Sequence, residues 1–379
     1  MSNLAVLPDG NADSNKPSDS DLGNRKYIRW DAEGVESVPP GEEDDIKAVA
    51  EQINFLQRTH WNKTRHAFGG THARTQGVVK GKFIVLDDLP PHLAQTELFS
   101  KGGTYEAICR YSSEPGDPGL DDRIPQPRGF AMKLFGVHGD KFPSPTGSDL
   151  PTQDIEFNST PALDLTDAKT TREIIALRIA HGGSQPELYK KLEQRPDTEL
   201  QKARDQVRNT HLESTRQYSQ TPYRFGDYVI KYSLVPSTET QKKLYEETVK
   251  PDAHPEDILH QWLRSFHAEH DAEYLFQVQL CENLEDQPVE YAGKVWDPEK
   301  YPWQTVAKLQ IPKQESFSYE RKTMWEDHLR VDPWLGLKSL QPLGGSNRLR
   351  RVVYPASSGL RRKMNGRKEI HITDINEFP

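Results

Sequence analysis

The chain has 379 residues, with 49 Lys and Arg against 57 Asp and Glu, so it carries a net charge of −8, and only 34% of it is hydrophobic. That acidic balance excludes a nucleic-acid binder working through general charge, and no run of about 18 uninterrupted apolar residues is present to span a membrane. Two cysteines, Cys109 and Cys281, are too few for a disulfide framework or a cysteine-rich metal site, and the polar start MSNLAVLPDGNADSNKPSDSDLGN lacks the basic and apolar regions of a secretory signal, so a cytoplasmic protein is expected.

Residues 1–40 are rich in Asp, Ser, Asn, Gly and Pro and have no apolar period, which predicts a flexible arm ahead of a single domain over 41–379. An arm of this kind can exchange between the subunits of a homo-oligomer. A helix is expected over 42–59, where Ile46, Val49, Ile53 and Leu56 recur at three-and-four spacing behind an acidic first turn. From Gly77 the texture turns to strands: VVKGKFIVLDDL, TYEAICRYS and RGFAMKLFGV are rich in β-formers and separated by Gly/Pro turns. Helices are expected over 164–180, 185–217, 239–250 and 255–270. Strand texture returns in EYLFQVQLC and TVAKLQI, and a last helix covers 348–354 or more. With 28 prolines and 25 glycines along the chain, a β core with long connections is expected rather than a helical bundle.

No GxxxxGK[ST], GxSxG or GxGxxG motif is present to anchor a nucleoside triphosphate, hydrolase or dinucleotide function. The run His267-Ala268-Glu269-His270-Asp271 reads as a solvated helix end rather than a metal site. The basic stretch from Arg348 to Lys363 lacks the aromatic interleaving of a nucleic-acid groove.

The spacing that carries chemistry is Arg350-Arg351-Val352-Val353-Tyr354. Arg350 and Tyr354 share one face of a helix, and a guanidinium beside a phenol favours the phenolate. Tyrosinate is a hard donor suited to ferric iron.

Other segments point the same way. Thr71-His72-Ala73 with Gly77, Gly81 and Phe83, the run from Arg110-Tyr111-Ser112 to Gln126-Pro127-Arg128-Gly129-Phe130-Ala131-Met132-Lys133, and Asn158-Ser159-Thr160-Pro161 resemble successive segments of the catalase family. So do Lys294-Val295-Trp296 with Tyr301-Pro302, and Arg350 to Tyr354-Pro355 with Arg361. These resemblances keep the family's order over roughly residues 60–365. They imply an α+β fold, a closed antiparallel β-barrel with surrounding helices and no C-terminal extension domain, holding haem b, a ferric iron protoporphyrin. By position they imply Tyr354 as iron ligand and Arg350 as its partner. His72 would be the acid/base, Asn158 would hydrogen-bond the peroxide, and Ser112 would hydrogen-bond the imidazole. Arg110 and Arg361 would bind the propionates.

Departures from the family pattern bear on substrate. Thr71 stands before the histidine where catalases usually have Val, which resembles the allene oxide synthase-like branch that consumes fatty-acid hydroperoxides; its hydroxyl is expected to restrain His72. Glu114, Gln126 and Leu163 replace the channel Val, Asp and Phe. Gly69 replaces a propionate-binding arginine, so either Arg65 or Arg74 substitutes for it or the haem is seated differently. The expected function is therefore O–O cleavage of organic or fatty-acid hydroperoxides, with a hydrogen peroxide catalase or peroxidase as the alternative and a non-catalytic haem- or lipid-binding protein as the second. No nucleic-acid partner is expected.

Overall fold

The computed structural model describes residue 22 and residues 24–143 and 150–379. Among them, nine strands form one antiparallel sheet: β1 (Arg74–Val85), β2 (Gly103–Ser113), β3 (Arg128–Phe135), β4 (Thr152–Asn158), β5 (Gln217–Tyr218), β6 (Tyr223–Phe225), β7 (Tyr228–Pro236), β8 (Ala272–Leu280) and β9 (Gln304–Ile311). The order is β5-β4-β3-β2-β1-β9-β8-β7-β6, and β5 also pairs with β7. Eight strands therefore close into a ring, and β6 folds back on β7 as a hairpin. Closure removes the free edges that an open sheet would present.

Side-chain alternation sorts the strands into an inside and an outside. Cys109 and Tyr111 of β2, Phe130 and Met132 of β3, and Ile155 and Phe157 of β4 enter one buried cluster with Phe83, Tyr232 and Phe276. The intervening residues Arg110 and Ser112, Gly129 and Ala131, and Glu156 and Asn158 face outward into a pocket. Phe276 stacks on Phe99 and Tyr232 and meets Phe83 edge-on, so the barrel interior is filled by aromatic rings rather than left as a channel.

Helices cover the pocket side. Helix α1 (Glu42–Thr64), α2 (Ala168–His181) and α4 (Gly345–Asn365) pack through Ile46, Val49, Ile53, Ile175, Leu349 and Val353. The remaining long helix, α3 (Ile258–Glu269), buries Leu259, Leu263 and Phe266 against the barrel. The basic stretch of α4 is met by neighbours: Arg348 pairs with Glu36, Glu42 and Glu290, Arg351 lies over Trp334 and Arg362 pairs with Glu369. No described helix is long and apolar enough to cross a membrane.

The structure departs from the sequence expectations at three places. The expected helix over 185–217 is two short helices, Gln185–Leu192 and Thr198–Ala203, followed by irregular chain and β5. Strands β4 to β7 fall where no strand was expected. Residues 24–40, read from composition as part of the flexible arm, are tied to the barrel: Ile28 N donates to Cys281 O at 2.8 Å, Val229 N to Ile28 O at 3.1 Å, and Val35 is buried. Most of the preceding residues lie outside the described part.

Candidate functional site

One pocket between the outer wall of β2–β4 and α4 brings together the eight residues that the sequence pointed to for catalysis and haem binding: Thr71, His72, Arg110, Ser112, Asn158, Arg350, Tyr354 and Arg361. Its empty space, mouth and adjoining solvent included, is ≈1090 Å³. On α4, Arg350, Tyr354, Ser357, Ser358 and Arg361 fall at helical spacing on the face turned to the barrel, while Leu349 and Val353 face α1.

His72 is fixed by unusual local geometry. It sits in the left-handed region at φ 51, and its backbone N–H donates to Glu114 O at 2.5 Å. The imidazole lies against Gly129, where a Cβ would come within 2.4 Å of the ring, so only glycine leaves room for it. Nδ1 is 3.1 Å from Ser112 Oγ, and that hydroxyl donates onward to Gly129 O at 3.4 Å. A hydroxyl that spends its proton on a carbonyl must accept from the ring, so Nδ1 carries the proton and Nε2 is left basic. Burial holds the ring's pKa down at about 4, helped by Arg110 and Arg350 and opposed by Glu114, so His72 is neutral at physiological pH. The expected restraint by Thr71 is absent, because the Thr71 hydroxyl makes no hydrogen bond to the imidazole among the described residues. Ser112 is the ring's partner instead.

Facing it, Tyr354 donates its hydroxyl to Glu156 Oε2 at 2.8 Å. Arg350 is not the hydrogen-bond partner: its Nη1 donates to Thr221 and Asn347. Burial and the neighbouring Glu156 raise the phenol well above its ordinary pKa. Arg350 pulls the other way, as the sequence implied, but is outweighed. Burial pushes Glu156 itself up to about 8, despite the charge of Arg350 and the hydrogen bond from Tyr354. Glu156 is a site residue that sequence reasoning missed, since a single acid in an unassigned strand carries no signal. Its position two residues before Asn158, on the same face of β4, was the only clue.

Asn158 Nδ2 lies 3.4 Å from Glu114 Oε2, and Glu114 Oε1 takes a 2.7 Å bond from Arg204. Arg204 and Arg178 both reach Asp164, so Glu114 is one of two buried carboxylates matched by two guanidiniums. That pairing answers the cost of a carboxylate at this position. Gln126 is buried and Leu163 is bonded through its backbone to Ala292; neither lines the pocket.

Two arginines expected to replace the one absent at Gly69 do not. Arg65 lies over Trp61, and Arg74 donates to Leu120 O; neither lines the pocket. A Cβ at Gly69 would stand 2.8 Å from Thr71 O, so the loop folds too tightly there for any side chain. No group of three or more His, Cys, Asp or Glu among the described residues could hold a metal, and His267 of the set-aside cluster is wholly buried against Tyr111 and Phe266.

No protein-family model and no curated protein matches the sequence. The fold, however, is that of catalases. A fungal catalase structure superimposes with a TM-score of 0.58 at 15% identity, covering 92% of this chain and 70% of that one. Catalase A from Saccharomyces cerevisiae gives 0.57 at 15%, covering 92% and 72%, and a bacterial catalase gives 0.57 at 13%, covering 89% and 63%.

Proposed function

We propose that the chain is a haem-dependent enzyme that consumes hydroperoxides, with an organic or fatty-acid hydroperoxide as substrate. The observation that carries this reading is that a neutral histidine, an asparagine, a helix-borne Arg/Tyr pair and several buried arginines line one pocket outside a catalase-fold barrel. The residues suit the group. Arg330 Nε and Arg361 Nε are buried without hydrogen-bond partners, and Gly69 and Gly129 leave clearances that any Cβ would fill. Tyr354 would hold the iron, and Arg110 and Arg361 would pair with propionates.

When bound, ferric haem supplies a Lewis-acidic, redox-active centre at which an O–O bond is weakened. The protein's part is proton handling. Nε2 of His72 takes the proton from the nearer peroxide oxygen and returns it to the farther one, which then leaves as alcohol or water. The chain from Nδ1 through Ser112 Oγ to Gly129 O holds the ring in that tautomer throughout. Asn158, tethered through Glu114 and Arg204, supplies a polar group to orient the peroxide.

A second reading, hydrogen peroxide as the substrate, draws support from the charged wall that Glu114 and Arg204 set behind Asn158, since an ionic wall favours a small polar molecule over an acyl chain. Initial rates per haem on hydrogen peroxide and on a long-chain fatty-acid hydroperoxide separate the two. A preference for the lipid hydroperoxide is expected, and a preference for hydrogen peroxide by orders of magnitude would select the second reading. A protein that takes up no haem would remove both.

A further inference from the structure

Four arginines line the pocket, Arg110, Arg330, Arg350 and Arg361, against two carboxylates, Glu156 and Glu326. They differ in how their charge is met. Arg350 is held by Thr221 and Asn347 beside Glu156. Arg110 gives Nε to Thr75 at 2.8 Å and Nη2 to His72 O at 2.5 Å. Arg361 gives one Nη2 bond, to Leu329 O at 2.9 Å. Arg330 makes no hydrogen bond among the described residues. Its Nε lies 3.7 Å from Asp332 and 3.8 Å from Glu369, both beyond bonding reach, and its side chain is only 6% exposed. The oxygens that face it, Asp332 Oδ2 and Glu369 Oε1, form long ion pairs with Nε but no hydrogen bond, while Trp334 N and Arg362 take the other oxygen of each carboxylate. Glu326 is likewise occupied, by Thr75 and Lys322.

The two nearby carboxylates meet the charge of Arg330 at a distance, but its N–H donors remain without hydrogen bonds, and a buried donor left unbonded is costly unless an acceptor completes it. The backbone supplies a second indication. The π-turn Met324–His328 ends just before Leu329, and Leu329, Arg330 and Val331 then run along the pocket wall. Single π-turns of this kind often occur at functional sites. Arg361 bonds the carbonyl directly preceding Arg330, so the two guanidiniums are anchored on adjacent residues. Arg361 Nη1 also reaches within 4.0 Å of where a Gly69 side chain would begin.

We infer that Arg330 and Arg361, with Arg110, form a carboxylate-binding cradle in which Arg330 takes the place of the arginine that Gly69 cannot carry. The chemistry recognised is a carboxylate, which has two sources within the proposed function: a haem propionate, or the acid end of an acyl substrate. The inference rests on that proposal for the source of the anion, but its test is one of binding.

Apoprotein is titrated with haem and with haem dimethyl ester, in wild type, Arg330→Met and Arg330→Lys, and thermal unfolding of each apoprotein confirms that it is folded. The same three proteins are titrated with palmitic acid and its methyl ester. If propionate is the source, Arg330→Met weakens haem binding roughly ten- to a hundredfold, the value of a charged hydrogen-bond pair. The dimethyl ester is then bound equally by all three, and Arg330→Lys recovers part of the loss. If the substrate is the source, the discrimination appears between palmitic acid and its ester instead. Equal binding by wild type and Arg330→Met in both pairs overturns the cradle, as does an equal loss on acid and ester, which would mean that Arg330 fills space. Wild type that takes up no haem strikes the proposed function, while the palmitate arm still reads the cradle.

Discussion

The two walls of the pocket treat their proton-bearing groups alike in burial and differently in neighbours. On the barrel wall, His72 is largely enclosed and its only side-chain hydrogen-bond partner among the described residues is a neutral hydroxyl, so desolvation leaves it uncharged and proton-accepting. On the helix wall, Tyr354 is equally buried, but its partner is a carboxyl group that is itself driven toward its protonated form. The first wall presents a base ready for use. The second presents a phenol whose proton must go somewhere before the oxygen can bind a metal. Burial alone therefore does not specify a role; the partner does.

The sharpest way to break this contrast is Tyr354→Phe, which removes the oxygen proposed to hold the iron. Haem uptake, followed by absorption titration of the apoprotein, is expected to collapse, and an unchanged spectrum would refute the helix-wall assignment. His72→Ala is next. It should leave haem uptake intact while peroxide consumption slows by a factor of about 10² or more. With wild type, the rate should hold steady from neutral pH down toward pH 5 and fall as the imidazole protonates near pH 4.

Gly129→Ala sharpens the barrel side without touching a chemical group. A Cβ at 2.4 Å from the ring must displace it, at a cost typical of overpacking, about 1–3 kcal/mol. Lower thermal stability together with slowed turnover is the expected pair of results; a change in stability alone would show that the ring's placement is not critical.

Glu156→Gln probes the helix side through linkage. An ordinary glutamate titrates near 4.3, and in the fold burial raises Glu156 to about 8. Between those values the folded apoprotein binds a proton that the unfolded chain does not, so wild-type stability falls as pH rises through this window. The glutamine variant should show a flatter profile and a higher relative stability at pH 8 by chemical denaturation.

The smallest effect lies away from the pocket, at His211. Its two ring nitrogens meet Glu213 and Glu247 at 3.0 and 3.1 Å, and its face stacks on Trp262 at 4.0 Å. Burial would lower its pKa, but the two carboxylates raise it overall. A raised histidine contributes stability that is full below about pH 6.5 and lost as pH climbs through the folded value. His211→Gln should therefore remove an alkaline loss of stability that wild type shows.

What was legible in the sequence follows from these same features. Strands β1 to β3 announce themselves because Val78, Val79, Phe83, Ile108 and Cys109 are apolar on both faces or in alternation. Strand β4 does not, since Asp154 is buried in an ion pair with Lys133 and Gln153 caps neighbouring backbone, so its pattern looks like surface. Lys231 hides β7 in the same way, buried with Nζ over Trp296. The stretch over 185–217 reads as helix, yet its second half is held by polar contacts of His211, Glu213 and Thr215 that no periodicity records. At the site, side chains whose type and order carry a motif were recoverable: His72, Ser112, Asn158, Arg350 and Tyr354 meet in one pocket. Glu156 and Arg204 were not, because each acts through a partner distant in sequence, and Arg330 belongs to no motif.

Strand β5 has a consequence for motion. It is two residues long, pairs with β4 only through Tyr218 opposite Asn158, and meets β7 at Gln217 and Tyr218. Every other junction in the ring is longer, with at least four paired positions. The barrel therefore has a seam with few hydrogen bonds to break, and local opening will begin there. Asn158 sits on that seam, and Ser219 and Gln220 follow it directly into the pocket. Amide exchange should be fastest at Tyr218 among the ring strands and should slow when the pocket is filled, because whatever spans from Tyr354 to Asn158 fastens the seam shut.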